Sequence, residues 1–320
     1  MRRREFIALA GASVAWPCAA GAQQAMPTIG VMSPASPTTT IFRALFPKLM
    51  KELGWEEDRE YRAVFRFAEG HVERFPLFTE ELLAEKVNVI IVFGEAGIKA
   101  VQRTTKTVPI VGIAADMIRT GLAASMARPG GNLTGVNILA GELDVKRLEI
   151  LHESVPAAKR ISALALPDRG FDTVPELEAA ARQLNLELLV ISVHQMDELA
   201  PALDALQSAR FDAVNVLASP LLLPNRAKLI EGLNRARLPA ICEAPEIADS
   251  GGFLGYGARF DFYMRLAARL ASKILRGARP EDQPIEQPDR YDLVVNLKTA
   301  NALGITVPPA LLVRADKVIE

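Results

Sequence analysis

Short runs of apolar and β-branched residues alternate along this chain with longer segments whose apolar positions recur every three to four residues. Thr28 to Met32 reads as a first strand, and a polar turn, Ser33 to Thr40, leads to a helix from about Ile41 to Leu53 that stops at Gly54. Tyr61 to Ala68 predicts a second strand, Glu73 to Glu85 a helix, and Val87 to Phe93 a strand apolar enough to be covered on both faces. A helix opening at Gly94, a strand from Pro109 to Ala114, a turn at Pro129 to Asn132 and a strand from Leu133 to Ile138 complete a first series.

The same rhythm restarts at Glu142 to Val155, a helix. Strands are predicted at Arg160 to Leu166, Glu187 to Val193, Ala213 to Ala218, Pro239 to Glu243 and Gly252 to Gly257, with helices at Val174 to Leu184, Asp197 to Ala209 and Asn225 to Arg237 between them. A long helix, Asp261 to Leu275, a proline-containing linker, Gly277 to Pro288, and a strand, Tyr291 to Leu297, precede a helix and a Pro308-Pro309 tail. Strands alternating with helices give parallel sheets, so the fold class is α/β, with two lobes of similar architecture and no residue-level repeat. The expected division places residues 23–140 and about 259–290 in lobe 1, and residues 141–258 and about 291–320 in lobe 2.

Residues 1–22 break this pattern. Arg3 and Arg4, an apolar run to Trp16 and Ala20-Gly21-Ala22 have the layout of an export signal, and the paired arginines before Phe6-Ile7 fit the twin-arginine type. The run is shorter than the roughly 20 residues that span a bilayer. Pro17 stands where a lipoprotein signal needs a small residue before Cys18, so cleavage after Ala22 is expected, leaving Cys242 as the one thiol of a periplasmic chain.

Composition mainly excludes. Across 320 residues, 37 Lys and Arg balance 38 Asp and Glu, so nothing points to a nucleic-acid partner. Three histidines, His71, His152 and His194, and one mature cysteine, scattered along the chain, do not form the spaced ligand set of a zinc site, and no cofactor is expected. Pro129 to Gly135 lacks the Gly-Lys-Ser/Thr of a phosphate loop, Gly255-Tyr256-Gly257 lacks the third glycine of a dinucleotide fingerprint, and no G-x-S-x-G elbow occurs. Cys242 reads as a buried, inert thiol. The chain is therefore expected not to be an enzyme.

Two open α/β lobes create a cleft, and ligands of such sheets bind at the carboxyl ends of strands. The candidate contacts are Ser33, Ser36, Gly94, Glu95, Ala96, Asp116 and Met117 from lobe 1, with Asp168, Arg169, Phe171, Ser219, Glu243 and Tyr256 from lobe 2 or the hinge. A carboxylate at Glu95, Asp116 or Glu243 can hold a ligand amine, while Glu95 can equally serve only the dipole of the helix it begins. Arg169 can clamp a carboxylate, Phe171 and Tyr256 can stack on an aromatic body, and the backbone amides after Ser33 and Gly94 are expected to receive a ligand carboxylate.

Several segments together resemble one family. Arg3 to Ile7, Trp16-Pro17, Ala22 to Gln24, Ala68 to Gly70, Arg128 to Val136, Lys146 to Glu149, Asn296 to Ala300 and Leu303 to Pro309 are similar, in order, to ABC transporter substrate-binding proteins of the group that includes tryptophan and tyrosine binders. The resemblance implies a type I periplasmic binding protein fold, two Rossmann-like lobes joined by crossing hinge strands, closing on a small ligand and docking on an inner-membrane permease, with the receptor a monomer. Where relatives often carry an Asn-Pro-Asn-type loop this chain has Leu166 to Phe171, and where they carry Gly-Asp-Pro-Val it has Ala115 to Ile118. An Arg, a Phe and a Met in those loops suit a carboxylate on an apolar or aromatic body. A ligand-sensing module feeding a membrane signalling partner, and a periplasmic enzyme on the same scaffold, are the alternatives.

Overall fold

The computed structural model describes residues 26–38, 41–166 and 173–320, so the expected signal segment and the candidates Asp168, Arg169 and Phe171 lie outside the described residues. The first sheet has five parallel strands, β1 (Thr28–Ser33), β2 (Arg62–Phe67), β3 (Val89–Phe93), β4 (Ile110–Ala114) and β5 (Leu133–Asn137), in the order β2-β1-β3-β4-β5. All five residues of β3 are buried, because helices cover both faces. Val89, Ile91 and Phe93 face α1 (Phe42–Glu52), while Ile90 and Val92 face α2 (Phe75–Ala84) and α3 (Glu95–Thr104).

The second sheet repeats this winding. Strands β6 (Arg160–Ala165), β7 (Glu187–Ser192), β8 (Ala213–Val216), β9 (Ala240–Cys242) and β10 (Leu254–Gly257) run in the order β10-β9-β8-β6-β7, and β11 (Asp292–Asn296) and β12 (Lys317–Ile319) extend it past β10. On one face lie α4 (Ala140–Ser154), α5 (Val174–Gln183), and later α10 (Leu297–Leu303) and α11 (Pro309–Arg314); on the other lie α6 (Leu199–Ser208), α7 (Arg226–Arg235) and α8 (Pro245–Asp249). The short α8, α11 and β12 are additions to the sequence expectation, which ended in a proline tail.

Among the described residues the chain passes between lobes three times, at residues 138–139, 258–259 and 287–291, each time at the cleft end of the sheets. After the second passage α9 (Phe260–Leu275) packs Met264, Ala267, Leu270 and Ala271 into the first-lobe core. The proline-containing segment that follows is not a loose linker. Glu286 N–H donates to Gly135 O (2.9 Å) and its carbonyl accepts from Asn137 N–H (2.9 Å), so the segment runs alongside β5 and covers that sheet edge. Because it then enters lobe 2 from the cleft, β11 descends and pairs antiparallel with β10, the exception among otherwise parallel neighbours. At the first passage Leu139 adopts a left-handed conformation (φ 51°, ψ 38°), uncommon for a residue with a branched side chain. Among the described residues no helix is long and apolar enough to cross a membrane.

Candidate functional site

A cavity of about 70 Å³ lies between the lobes where the strand ends of both sheets meet. Its wall is mostly apolar. Phe42 and Phe93 stand edge to face (5.3 Å between ring centres), and Phe260 and Tyr263, three residues apart on the first turn of α9, form a second edge-to-face pair (5.2 Å). Leu222 and Leu223 face them from lobe 2. The lobes touch beside the cavity: Ala115 meets Ala218 against Ile138, and Arg119 pairs with Glu176 across the cleft (2.6 Å).

Five of the sequence candidates line this cavity: Ser33, Gly94, Glu95, Ser219 and Glu243. Gly94 turns the chain from β3 into α3 at φ 83°, where a side chain would be strained. Glu95, 2% exposed, follows at the first helical position. Its Oε1 accepts from Ala115 N–H (2.8 Å) and Asp116 N–H (3.4 Å), tying the loop after β4 to the start of α3. Burial raises its pKa, opposed by its own N–H, by the Ala115 and Asp116 amides and by the Lys99 charge.

Glu243 follows β9 and is half-buried. Gly257 makes room for it, since a Cβ there would come within 2.1 Å of the Glu243 carbonyl oxygen. Its Oε2 accepts from Ser219 N–H (3.2 Å), and the Ser219 hydroxyl accepts from Leu221 N–H (3.2 Å). Burial pushes the Glu243 carboxyl up to about 7, with nearby Arg147 opposing and Asp144 adding to the rise. Arg147 and Asp144 form a fully buried ion pair on α4. Asp144 also accepts from Ala218 N–H (3.1 Å) at the cavity floor and from the Thr173 hydroxyl (3.2 Å), and Arg147 donates to Tyr256 O (3.1 Å) on β10. The Tyr263 phenol is held well above its ordinary pKa by burial, then by Glu243 and Glu246.

The other described candidates serve the loops. Asp116 Oδ1 accepts from Ile118 and Arg119 N–H (3.0 Å each), Met117 is fully buried in the first-lobe core, Ala96 packs against that core, and the Ser36 hydroxyl bonds Thr38 (2.8 Å) outside the cavity. Tyr256 packs its side chain on the second-lobe core and offers its carbonyl to Arg147. The anion receivers expected after Ser33 and Gly94 are also occupied: Ala35 N–H donates to Ser33 Oγ (3.2 Å), and the Glu95 carboxylate sits on the first turn of α3. Sequence reasoning missed Phe260 and Tyr263, whose i, i+3 spacing right after an interlobe passage was the available signal. Cys242 is buried, its thiol raised to about 12 by desolvation.

Comparison with known proteins agrees with this architecture. A tyrosine-binding protein of Clostridioides difficile is 23% identical over 263 residues, covering 81% of this chain and 75% of that protein. A conserved domain protein from Vibrio cholerae superposes with a TM-score of 0.83 at 22% identity, over 92% of this chain and 99% of that one. A Streptococcus pneumonia ABC domain in complex with L-Trp gives 0.81 at 23% identity with the same coverage of both chains. The profile of the ABC transporter substrate binding protein family matches residues 37–319, and the chain belongs to that family.

Proposed function

We propose that this protein is the solute-capturing component of an ABC importer, holding a small organic molecule in the interlobe cavity and handing it to an inner-membrane permease. The observation that carries this reading is the cavity itself: it is built from the strand ends of both lobes, which among the described residues are joined by three backbone passages. A molecule bound there touches both halves, so it stabilises the closed form by its differential affinity for closed over open. Aromatic rings from α1, β3 and α9 fit a solute of the size and apolarity of the tyrosine and tryptophan bound by relatives. The leader at residues 1–22 supports a periplasmic address, reached as a folded monomer. The protein is read as a receptor without turnover of its own.

The test is ligand-dependent closure. Small-angle scattering should show the purified protein contracting when its retained solute, identified by native mass spectrometry, is added back after removal. Ser219→Trp, which fills the cavity, should abolish both retention and contraction. Retention that survives this substitution would place the solute elsewhere and defeat the reading.

A further inference from the structure

The first turn of α9 belongs to two lobes at once. The helix packs into the first-lobe core, yet the residue before it, Arg259, is held from the second lobe by Asp249 on α8 (2.9 Å) and Asp292 on β11 (2.7 Å). A helix start leaves its first N–H groups without intrahelical partners, and the Arg259 side chain caps none of them. The cap comes from the second lobe: Glu246, fourteen residues earlier on α8, accepts the Phe260 N–H at its Oε1 (2.9 Å).

The short α8 is a firm base for this contact. A Cβ at Gly255 would come within 2.7 Å of Pro245 Cα and one at Gly252 within 2.9 Å of the Ile247 side chain, so α8 lies directly against β10 and the turn before it. The Asn296 amide ties it further by donating to Ala248 O (3.0 Å). Glu246 Oε2 is buried and has no hydrogen-bond partner among the described residues. Burying an oxygen unpaired is costly, and what offsets it here is the bond to Phe260, the Arg259 charge and the positive end of a 16-residue helix.

What this bond holds in place is the aromatic wall of the cavity. Phe260 and Tyr263 share one face of that first turn, edge to face at 5.2 Å, and both line the cavity. Phe260 packs against the cores of both lobes, and Tyr263 against that of the first. We propose that Glu246 is a positioning residue of the capture site: by holding the first turn of α9 to the second lobe, it fixes Phe260 and Tyr263 as the wall on which the ring of the solute packs. This rests on the solute-capture reading above and deepens it. Glu246 is not among the described residues that line the cavity, so it acts through the turn. A wall fixed beforehand spares the complex the cost of ordering it, so the bond contributes to affinity as well as to the fold.

Three probes that share an aromatic body test this: L-tryptophan, L-tyrosine and indole, titrated calorimetrically up to about 1 mM, with chemical denaturation of each variant alongside. Glu246→Ala removes the acceptor and should weaken the tightest-binding probe by about tenfold, whereas Glu246→Gln keeps an oxygen for the Phe260 N–H and should stay within about threefold of wild type. Asp212→Ala is the control. It strips the Lys159 and Arg160 N–H groups (2.8 Å each) of a carboxylate at the end of the second sheet away from the cleft, and should lower stability while leaving affinity within about twofold. If Glu246→Ala does not fold, Glu246→Asp, one methylene shorter, is read in its place for the same loss. Unchanged affinity in Glu246→Ala, an equal loss in Glu246→Gln or an equal loss in Asp212→Ala overturns the positioning role while leaving the cavity as a capture site. Binding of none of the probes by the wild type also overturns it, because a wall set for a ring then receives none. In that case native mass spectrometry of protein exposed to a mixed metabolite extract decides the broader reading: a compound retained by the wild type and lost in Ser219→Trp preserves capture, and no retained compound defeats capture as well.

Discussion

Glu95 and Glu243 line the same cavity, one from each lobe, and they are held there by different means. Glu95 is fixed by backbone: it begins α3, and its carboxylate bridges that helix to the loop after β4. Glu243 accepts from Ser219 N–H and lies near the buried Asp144 and Arg147 pair, of which Arg147 favours its charge and Asp144 opposes it. The first lobe therefore carries its charge on a rigid helix start, close to where a macrodipole already favours it. The second carries it over an ion pair that also fixes Ala218 at the cavity floor and the Tyr256 carbonyl before the second interlobe passage. The difference is that the amides on Glu95 act on it directly, whereas the ion pair behind Glu243 belongs to Asp144 and Arg147 and reaches Glu243 only through the field, while also fixing groups elsewhere in the lobe.

Three measurements can break that contrast. The largest effect is expected behind Glu243: Asp144→Asn leaves Arg147 as a buried charge without its carboxylate, and chemical denaturation should register a loss of about 3–5 kcal/mol. A loss under about 1 kcal/mol would mean the pair carries no such weight. Next comes pH. Glu243 binds its proton more tightly folded (about 7) than at its ordinary value of 4.5, so the native state holds more protons than the unfolded state between those values. Stability should therefore be highest below about 4.5 with respect to this group, and fall as pH rises to 7, by on the order of 2 kcal/mol because the side chain keeps some contact with the cavity. Glu243→Gln should remove that slope, and an identical slope in wild type and variant would show that another group sets it. The smallest effect belongs to Glu95→Ala, which strips the Ala115 N–H of its acceptor for about 1–2 kcal/mol, with Glu95→Gln restoring most of it through the remaining oxygen.

Much of the framework was readable from pattern. Five consecutive apolar residues at β3 and the Gly54 stop after α1 announce themselves, because burial on both faces and the left-handed turn leave marks in the residue types. The antiparallel course of β11 leaves no such mark: it follows from the end of the molecule at which the chain re-enters lobe 2. The site divides the same way. Glu95, Ser219 and Glu243 were visible as polar residues ending apolar runs. Met117 and Tyr256 had equally suggestive places and turned into the cores, because an alternating strand and a tight loop decide by one residue which way a side chain goes. Phe260 and Tyr263 looked like ordinary members of a helical stripe, and only the placement of α9 beside the cleft makes them walls.

The segment that runs beside β5 has a consequence for how the chain is made. The first sheet lacks α9 and its edge cover until residues 260–287 have been synthesised, long after β1 to β5. Until then the face of the five-stranded sheet that α1 covers only in part stays partly open, as does the β5 edge, and such surfaces are where nascent chains associate wrongly. The earliest-made lobe is thus among the last to be completed, since its core and its sheet edge both wait for residues made after the whole of β6 to β10.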